Sequence, residues 1–364
     1  MNSRCSWNFP KVTVAAAHVS SVYFDIEKSL KKLEEYAVQA ARRGAVLIAF
    51  GESFLPGFPV WNLVLSPLDQ HELFQKLYET SVEVPSDITE EIGRIARENN
   101  IYISVGVTER SKHSLGTLWN TNLLFDDKGN LERKHRKLVP TFAEKLTWSN
   151  GDGSGLEVLG NKQLGRIGVL ICGENTNTLA RFALIAQGEQ IHISTYPPCW
   201  PTTRNSKNNY SLGEAIRIRA AAHAFEGKLF NIVASCCKDQ SLIDIVSEYD
   251  NSARSVLESA PCSVSMIVGP QGEIIGEPLS NEEGLVLAEI NLSQGIFWKK
   301  IHDITGGYNR FDIFHLSVNF SSSTEPLNDP QGKVSFSTSQ HKSNYLAENA
   351  DQVENDAKLQ FPLI

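Results

Sequence analysis

Short apolar runs alternate with helix-patterned segments through the first third of the chain, and that alternation restricts the fold more than any other feature. The runs are Lys11–His18 (KVTVAAAH), Ala45–Phe50 (AVLIAF) and Ile101–Val107 (IYISVGV). Between the first two, Asp25 is placed to cap a helix that reaches about Arg43, with Ile26, Leu30, Leu33, Ala37 and Ala40 on one face and Gly44 at its end. Between the last two, Pro85-Ser86 opens a helix with Ile88, Ile92, Ile95 and Ala96 in phase. Strand–helix–strand–helix–strand order predicts crossovers that leave the strands as neighbours in one sheet. Trp119–Phe125 and Leu131–Leu138 then read as a hairpin turned around Lys128-Gly129.

After a polar excursion over Pro140–Ser154, the apolar run Ile167–Ile171 stops at Cys172 and passes into a segment of helical pattern, Leu179–Gln187. A strand (Gln190–Tyr196), a Pro-rich loop (YPPCWP), a helix (Leu212–Glu226) and a strand (Lys228–Cys236) follow. A long polar loop leads to a second hairpin, Val264–Glu277, turned at Pro270-Gln271-Gly272, and to a last strand, Gly284–Ile290. The halves share their order of strands, helices and hairpin without sharing sequence. Two such half-layers back to back make an α/β fold, a four-layer α-β-β-α sandwich. Residues 1–320 read as one domain. From Ser321 the composition turns to Ser, Asn, Gln, Asp and Glu, which predicts a solvated, disordered tail over 321–364.

With 364 residues, 41% hydrophobic and 21% charged, the chain has the make-up of a globular protein. A formal charge of −8 argues against nucleic acid or an anionic membrane as partner. No basic-then-apolar leader and no apolar run of spanning length is present, so the expected location is cytoplasmic. The six cysteines include no CxxC, and the nine histidines show no HxxxH or HExxH spacing, so neither a disulfide scaffold nor a metal site is expected.

Three residues that bear chemistry stand just past strand ends: Glu52, Lys137 and Cys172. Strand ends are where open α/β sheets collect ligands. A thiol at the turn into a helix also feels backbone N–H groups that favour the thiolate. Brought into one dry cleft, an ammonium would lower the thiol's pKa, while a carboxylate accepts its proton and later hands one to a leaving amine. Each residue taken singly has a plainer reading. Cys172 serves as a small buried hydrophobe, Glu52 as a turn cap, and Lys137 as one of the solvated cluster Arg133–Lys137. A papain-like dyad of Cys172 with His192 or His223 is a further reading, though nothing near either histidine supports it.

Four segments in order, FGESFLPGFP, HRKLVPTFAEK, WSNGDGSGL and LICGEN, resemble the nitrilase family of carbon–nitrogen hydrolases, and DITGGYNRFDIF resembles the C-terminal motif of its nitrilase branch. The likeness runs from about Lys11 to about Asn319. It implies the four-layer sandwich of the nitrilase type, with Cys172 as nucleophile, Glu52 as general base, Lys137 as the cation facing the tetrahedral intermediate and Glu144 as a second, positioning glutamate. It implies no metal or organic cofactor, a small-molecule nitrile and water as partners, and a homodimer that builds into larger oligomers or spirals.

The implied chemistry is thiolate attack on the nitrile carbon, a thioimidate, loss of ammonia and hydrolysis of a thioester, with an amide by-product when sulfur leaves instead. Lys137 and the Gly173 N–H would face the developing charge, a contribution of about 3–4 kcal/mol per donor. The family's nitrilases carry Trp directly after the cysteine, where this chain has Gly173, and Gly-His-Tyr where it has Gly306-Gly307-Tyr308. Both departures bear on the substrate, which keeps an amidase or N-carbamoyl hydrolase as the rival reading. A non-catalytic binding role conflicts with keeping so costly a set of buried charges. Phe54, Trp61, Trp148, Tyr196 and Trp200 lie on the loops expected to wall the pocket, where aromatics suit an apolar nitrile.

Overall fold

The computed structural model describes residues 7–202 and 210–322 and the backbone of 327–328 and 334–335. The N-terminal half opens with β1 (Lys11–His18), α1 (Ile26–Arg42), β2 (Ala45–Ala49), α2 (His71–Glu79) and α3 (Asp87–Asn99). It continues with β3 (Tyr102–Arg110), β4 (Leu118–Phe125) and β5 (Leu131–Arg136). Next come β6 (Leu159–Asn161), β7 (Gly165–Ile171), α4 (Thr178–Ala186), β8 (Ile191–Tyr196), α5 (Leu212–Gly227) and β9 (Phe230–Ser235). Helices α6 (Gln240–Ser247) and α7 (Ser252–Ser259) precede β10 (Ser265–Val268), β11 (Ile274–Leu279), β12 (Gly284–Asn291) and α8 (Gln294–Lys299).

Two six-stranded sheets form, ordered β12-β1-β2-β3-β4-β5 and β6-β7-β8-β9-β10-β11. In each, three neighbouring parallel strands (β1-β2-β3 and β7-β8-β9) are flanked by one antiparallel strand and by an antiparallel hairpin. The two-residue period of β1 assigns the layers. Val14 and Ala16 join Leu47, Ile167, Ile193 and Ile232 in a core between the sheets, whereas Ala15 and Ala17 pack under α1 and α3 with Leu33, Ala37, Ile92 and Ile95. On the far side, Ile171, Val233 and Met266 pack under α5 through Ile216, Ala220 and Ala224. The order is therefore α-β-β-α, as the sequence reading expects.

Helices α2, α6 and α7 fall where the sequence pattern predicts none, as does the short α8 after β12. α6 and α7 occupy the expected long polar loop, and α2 lies beyond the FGESFLPGFP segment that follows β2. Each is only 8 or 9 residues long, and helices that short are marginal alone. Tertiary burial supplies the difference: Leu73 and Leu77 of α2, Leu242 and Val246 of α6 and Leu257 of α7 are buried in one cluster with Val60 and Trp61. Fully burying a Leu or Val side chain stabilises by about 1.5–3 kcal/mol. Among the described residues no helix is long and apolar enough to cross a membrane.

The contacts divide the chain into Met1–Phe320 and Ser321–Ile364. Within the second unit the described residues form a two-strand ladder, Leu327–Asn328 with Val334–Ser335. The remainder of the expected tail, 323–326, 329–333 and 336–364, lies outside the described residues.

Candidate active site

The chain leaves β2 through Gly51 and places Glu52 against the other sheet. The Glu52 N–H donates to the Tyr196 carbonyl at the end of β8 (3.1 Å), and Cys236 Sγ approaches the Glu52 carbonyl at 3.5 Å. This close approach requires glycine beneath it. A Cβ at Gly106 would lie 2.4 Å from Gly51 O and 2.9 Å from Glu52 Cα.

Lys137 follows β5, its N–H donating to Asn120 O at 2.8 Å. Its ammonium donates to Glu52 Oε1 (2.8 Å) and to Glu144 Oε2 (2.6 Å), and Asn120 Nδ2 also donates to Glu52 Oε1 (2.7 Å). Glu144 lies in a 3-10 turn, Phe142–Leu146, where its Oε2 also accepts the Thr141 N–H at 2.8 Å. The second oxygens, Glu52 Oε2 and Glu144 Oε1, have no partner among the described residues.

Cys172 begins a 3-10 turn, Cys172–Thr176, at φ +51°, a left-handed conformation costly for a residue with a Cβ. Its sulfur and one carboxylate oxygen each of Glu52 and Glu144 lie within 4.8 Å of one another. Glu52, Lys137 and Glu144 are almost completely buried, and Cys172 keeps 5% exposure. Such a set has metal-ligating character, but here the Lys137 ammonium is the cation between the carboxylates.

The electrostatics overturn one expectation. Burial pushes the Cys172 thiol well above its usual range, and the Glu52 charge adds to this, while Lys137 pulls the other way with less effect. No α-helix starts at the cysteine to favour the anion; the 3-10 turn intervenes before α4. Burial alone would lower the Lys137 pKa, but Glu144 and Glu52 together raise it, keeping the ammonium charged. Burial raises the Glu144 carboxyl to about 7 against the pull of Lys137.

The sequence reading missed the residues that hold this turn. Asn175 Nδ2 donates to Leu170 O (3.2 Å) and Cys172 O (3.1 Å), and its Oδ1 meets His192 Nε2 at 2.8 Å. His192 Nδ1 meets Glu189 Oε1 (2.7 Å), and Glu189 Oε2 meets His223 Nε2 (2.8 Å). Both ring nitrogens of His192 and Nε2 of His223 are thus engaged by Asn175 and Glu189 rather than by Cys172, which counts against the papain-like dyad. Glu189, His192 and His223 could also ligate a metal, but each carboxylate oxygen is already taken by an imidazole. Glu174, Asn120, Phe58 and Arg219 were missed as well, the last a second cation acting on Cys172. The buried Asn-Thr-Asn in β4, polar residues within an otherwise apolar strand, was the legible signal for Asn120.

The expected pocket residues separate. Tyr196 is buried in one cluster with Cys172, and Trp200 packs against both this cluster and the aromatic one beside it. There Phe58 meets Trp148 at 5.4 Å and Trp200 at 6.1 Å between ring centroids. Trp61 packs instead on Tyr23 and Phe24. Phe54 corrects the expectation outright. The positive φ of Ser53 (48°) turns the chain, and Phe54 packs on Phe50, their rings tilted at 39°, in the core under α1 and α3, at a centroid distance of 5.2 Å. Gly173 faces Thr141, whose Oγ1 would lie 2.7 Å from a Cβ there.

The carbon–nitrogen hydrolase profile matches residues 13–300. A protein described as Nitrilase 3, from an unknown prokaryotic organism, is 32% identical over 84% of this chain and 90% of its own. Nitrilase 1 of Arabidopsis thaliana is 32% identical over 85% and 87%, and an aliphatic nitrilase of Rhodococcus rhodochrous 32% over 86% and 84%. Among solved structures, an amidase from Nesterenkonia sp. superposes with a TM-score of 0.57 at 17% identity, covering 78% of this chain and 92% of that one, a likeness of fold. The chain belongs to the carbon–nitrogen hydrolase family, in its nitrilase branch.

Proposed function

We propose that the protein is a nitrilase that converts an organic nitrile and two waters into a carboxylic acid and ammonia, with Cys172 as nucleophile. The observation that carries this reading is the approach of the Cys172 sulfur to the Glu52 and Glu144 carboxylates within 4.8 Å, with the Lys137 ammonium between those acids. Glu52 Oε2, unpartnered, takes the thiol proton as sulfur bonds to the nitrile carbon, and that proton passes to the nitrile nitrogen to leave a thioimidate. A first water, deprotonated by Glu52, adds to the same carbon. Lys137 and the Gly173 N–H face the charge that develops, and Glu52 returns the proton to the nitrogen; the added hydroxyl then gives up its own proton, relayed by Glu52 to that nitrogen, as the C–N bond breaks, so that ammonia departs and a thioester remains. A second water then releases the acid and restores the thiol. Glu144 holds Lys137 in place. Tyr196, Trp148 and Trp200 wall the pocket, and no cofactor takes part.

Amidase or N-carbamoyl hydrolase activity is the second reading, favoured by Gly173 where the branch carries Trp. We further propose homodimers that extend into larger assemblies, for which the exposed Leu179, Ile218 and Phe225 on α4 and α5 offer an apolar face. A cytoplasmic location fits the free thiols of Cys172, Cys199, Cys236, Cys237 and Cys262.

The test is to incubate the protein and its Cys172→Ala variant with nitriles, matching amides and carbamoyl compounds, and to assay ammonia, acid and amide. Ammonia and acid from nitriles, lost in the variant, are expected. Release from amides or carbamoyl compounds alone selects the second reading, and full activity in the variant removes both.

A further inference from the structure

Glu174, two residues after the nucleophile, has no role in the chemistry above, yet its carboxylate is almost fully buried. Both of its oxygens are used. Oε2 accepts the N–H of Ile171 (2.7 Å), directly before Cys172, and meets His135 Nε2 (2.9 Å). Oε1 accepts the N–H of Leu138 (2.6 Å), directly after Lys137. One carboxylate therefore grips the backbone on the far side of Lys137 and the near side of Cys172, together with a side chain of β5. The two segments follow strands of different sheets, and they also meet where Leu138 packs beside Leu170 and where Gly173 faces Thr141. Burial raises the cost of this charge, and His135 with the two N–H groups offsets it.

We propose that Glu174 is a positioning residue for the reaction, a clamp between the lysine strand end and the cysteine turn that sets the ammonium-to-sulfur separation. The inference rests on the roles proposed for Lys137 and Cys172. Transition-state stabilisation by a buried cation depends steeply on its placement, and a misplacement of about 1 Å can cost 10²-fold. An opened clamp also lets Lys137 recede from the tetrahedral intermediate, which changes how that intermediate divides between loss of ammonia and loss of sulfur.

Glu174→Gln is the isosteric test, because the amide nitrogen places a donor against one of the two backbone N–H groups. Glu174→Asp keeps the charge but shortens the reach, and it carries the test where the first variant does not fold. The readouts are kcat per alkylatable Cys172, KM, and the amide fraction of the product. We expect kcat per thiol to fall about 10²-fold, KM to stay within threefold, and the amide fraction to rise. Unchanged kcat per thiol and product ratio, whatever the melting temperature, overturn the clamp, since a purely structural role lowers only the number of active thiols. A wild type inactive on every nitrile and amide sinks the proposed function instead. The clamp is then read from Cys172 alkylation against pH, where the inflection should move up by about one unit in either variant as Lys137 recedes. An unmoved inflection overturns it.

Discussion

The Lys137 ammonium donates to Glu144 Oε2 at 2.6 Å where neither side chain meets solvent, and the same nitrogen serves Glu52 at 2.8 Å. One cation thus makes the burial of two acids tolerable. Lys137→Met would leave two carboxylates facing each other in a dry site, a loss of about 3–5 kcal/mol when one partner of a buried pair is removed. We expect hydrolysis to fall at least ~10³-fold and the urea midpoint to drop. A variant with wild-type turnover would show that the ammonium does not face the reacting atoms.

The Glu144 carboxyl supplies a pH dependence whose sign is fixed. An unfolded glutamate loses its proton near 4.5, and the folded protein holds it to about 7. Between these values the folded state binds more protons, so this group's contribution is complete below pH 4.5 and is lost as pH rises through 7, by at most ~3 kcal/mol. The difference in melting temperature between wild type and Glu144→Gln should therefore change across pH 4.5–7, with wild type losing more. Parallel curves over that window would contradict it.

Gly106→Ala reaches the site without touching its chemistry. The added methyl would press on Gly51 O at 2.4 Å and on Ser53 N at 2.5 Å, backbone atoms on either side of Glu52. Displacing Glu52 by a fraction of an ångström should cost on the order of 10-fold to 10²-fold in kcat. Cys172 should still be alkylated in full, as thiol titration beside the activity assay would show.

Gly173 and Thr141 form a pair suited to a double-mutant cycle. Gly173→Ala sets a methyl 2.7 Å from Thr141 Oγ1 and should weaken kcat/KM, whereas Thr141→Ala makes room. We expect the double variant to recover part of the loss, with a coupling of about 0.5–3 kcal/mol. Strict additivity would mean that the contact does not shape the pocket.

Apolar periodicity and strand order made most of the architecture legible, because a strand buried on both faces must be apolar and a crossover must pack back on its sheet. α2, α6 and α7 escaped for the opposite reason. Each is too short to be stable alone, and the burial of its apolar face in one shared cluster supplies the difference. Phe54 was misplaced because the positive φ at Ser53 reverses which side of the chain faces the cleft, and no side-chain pattern announces that.

By itself the sequence determined that a thiol, an ammonium and a carboxylate stand at strand ends, in motifs that resemble one family of hydrolases. Only the tertiary structure decided their spacing and the surroundings that act on their charges. Burial, and after it the Glu52 carboxylate, push the Cys172 thiol up against the pull of Lys137 and Arg219, a balance of distances that no residue order encodes. The strained turn at Cys172 is held by Asn175, which donates to the Cys172 carbonyl, and by Glu174, which accepts the Ile171 N–H and meets His135 of β5.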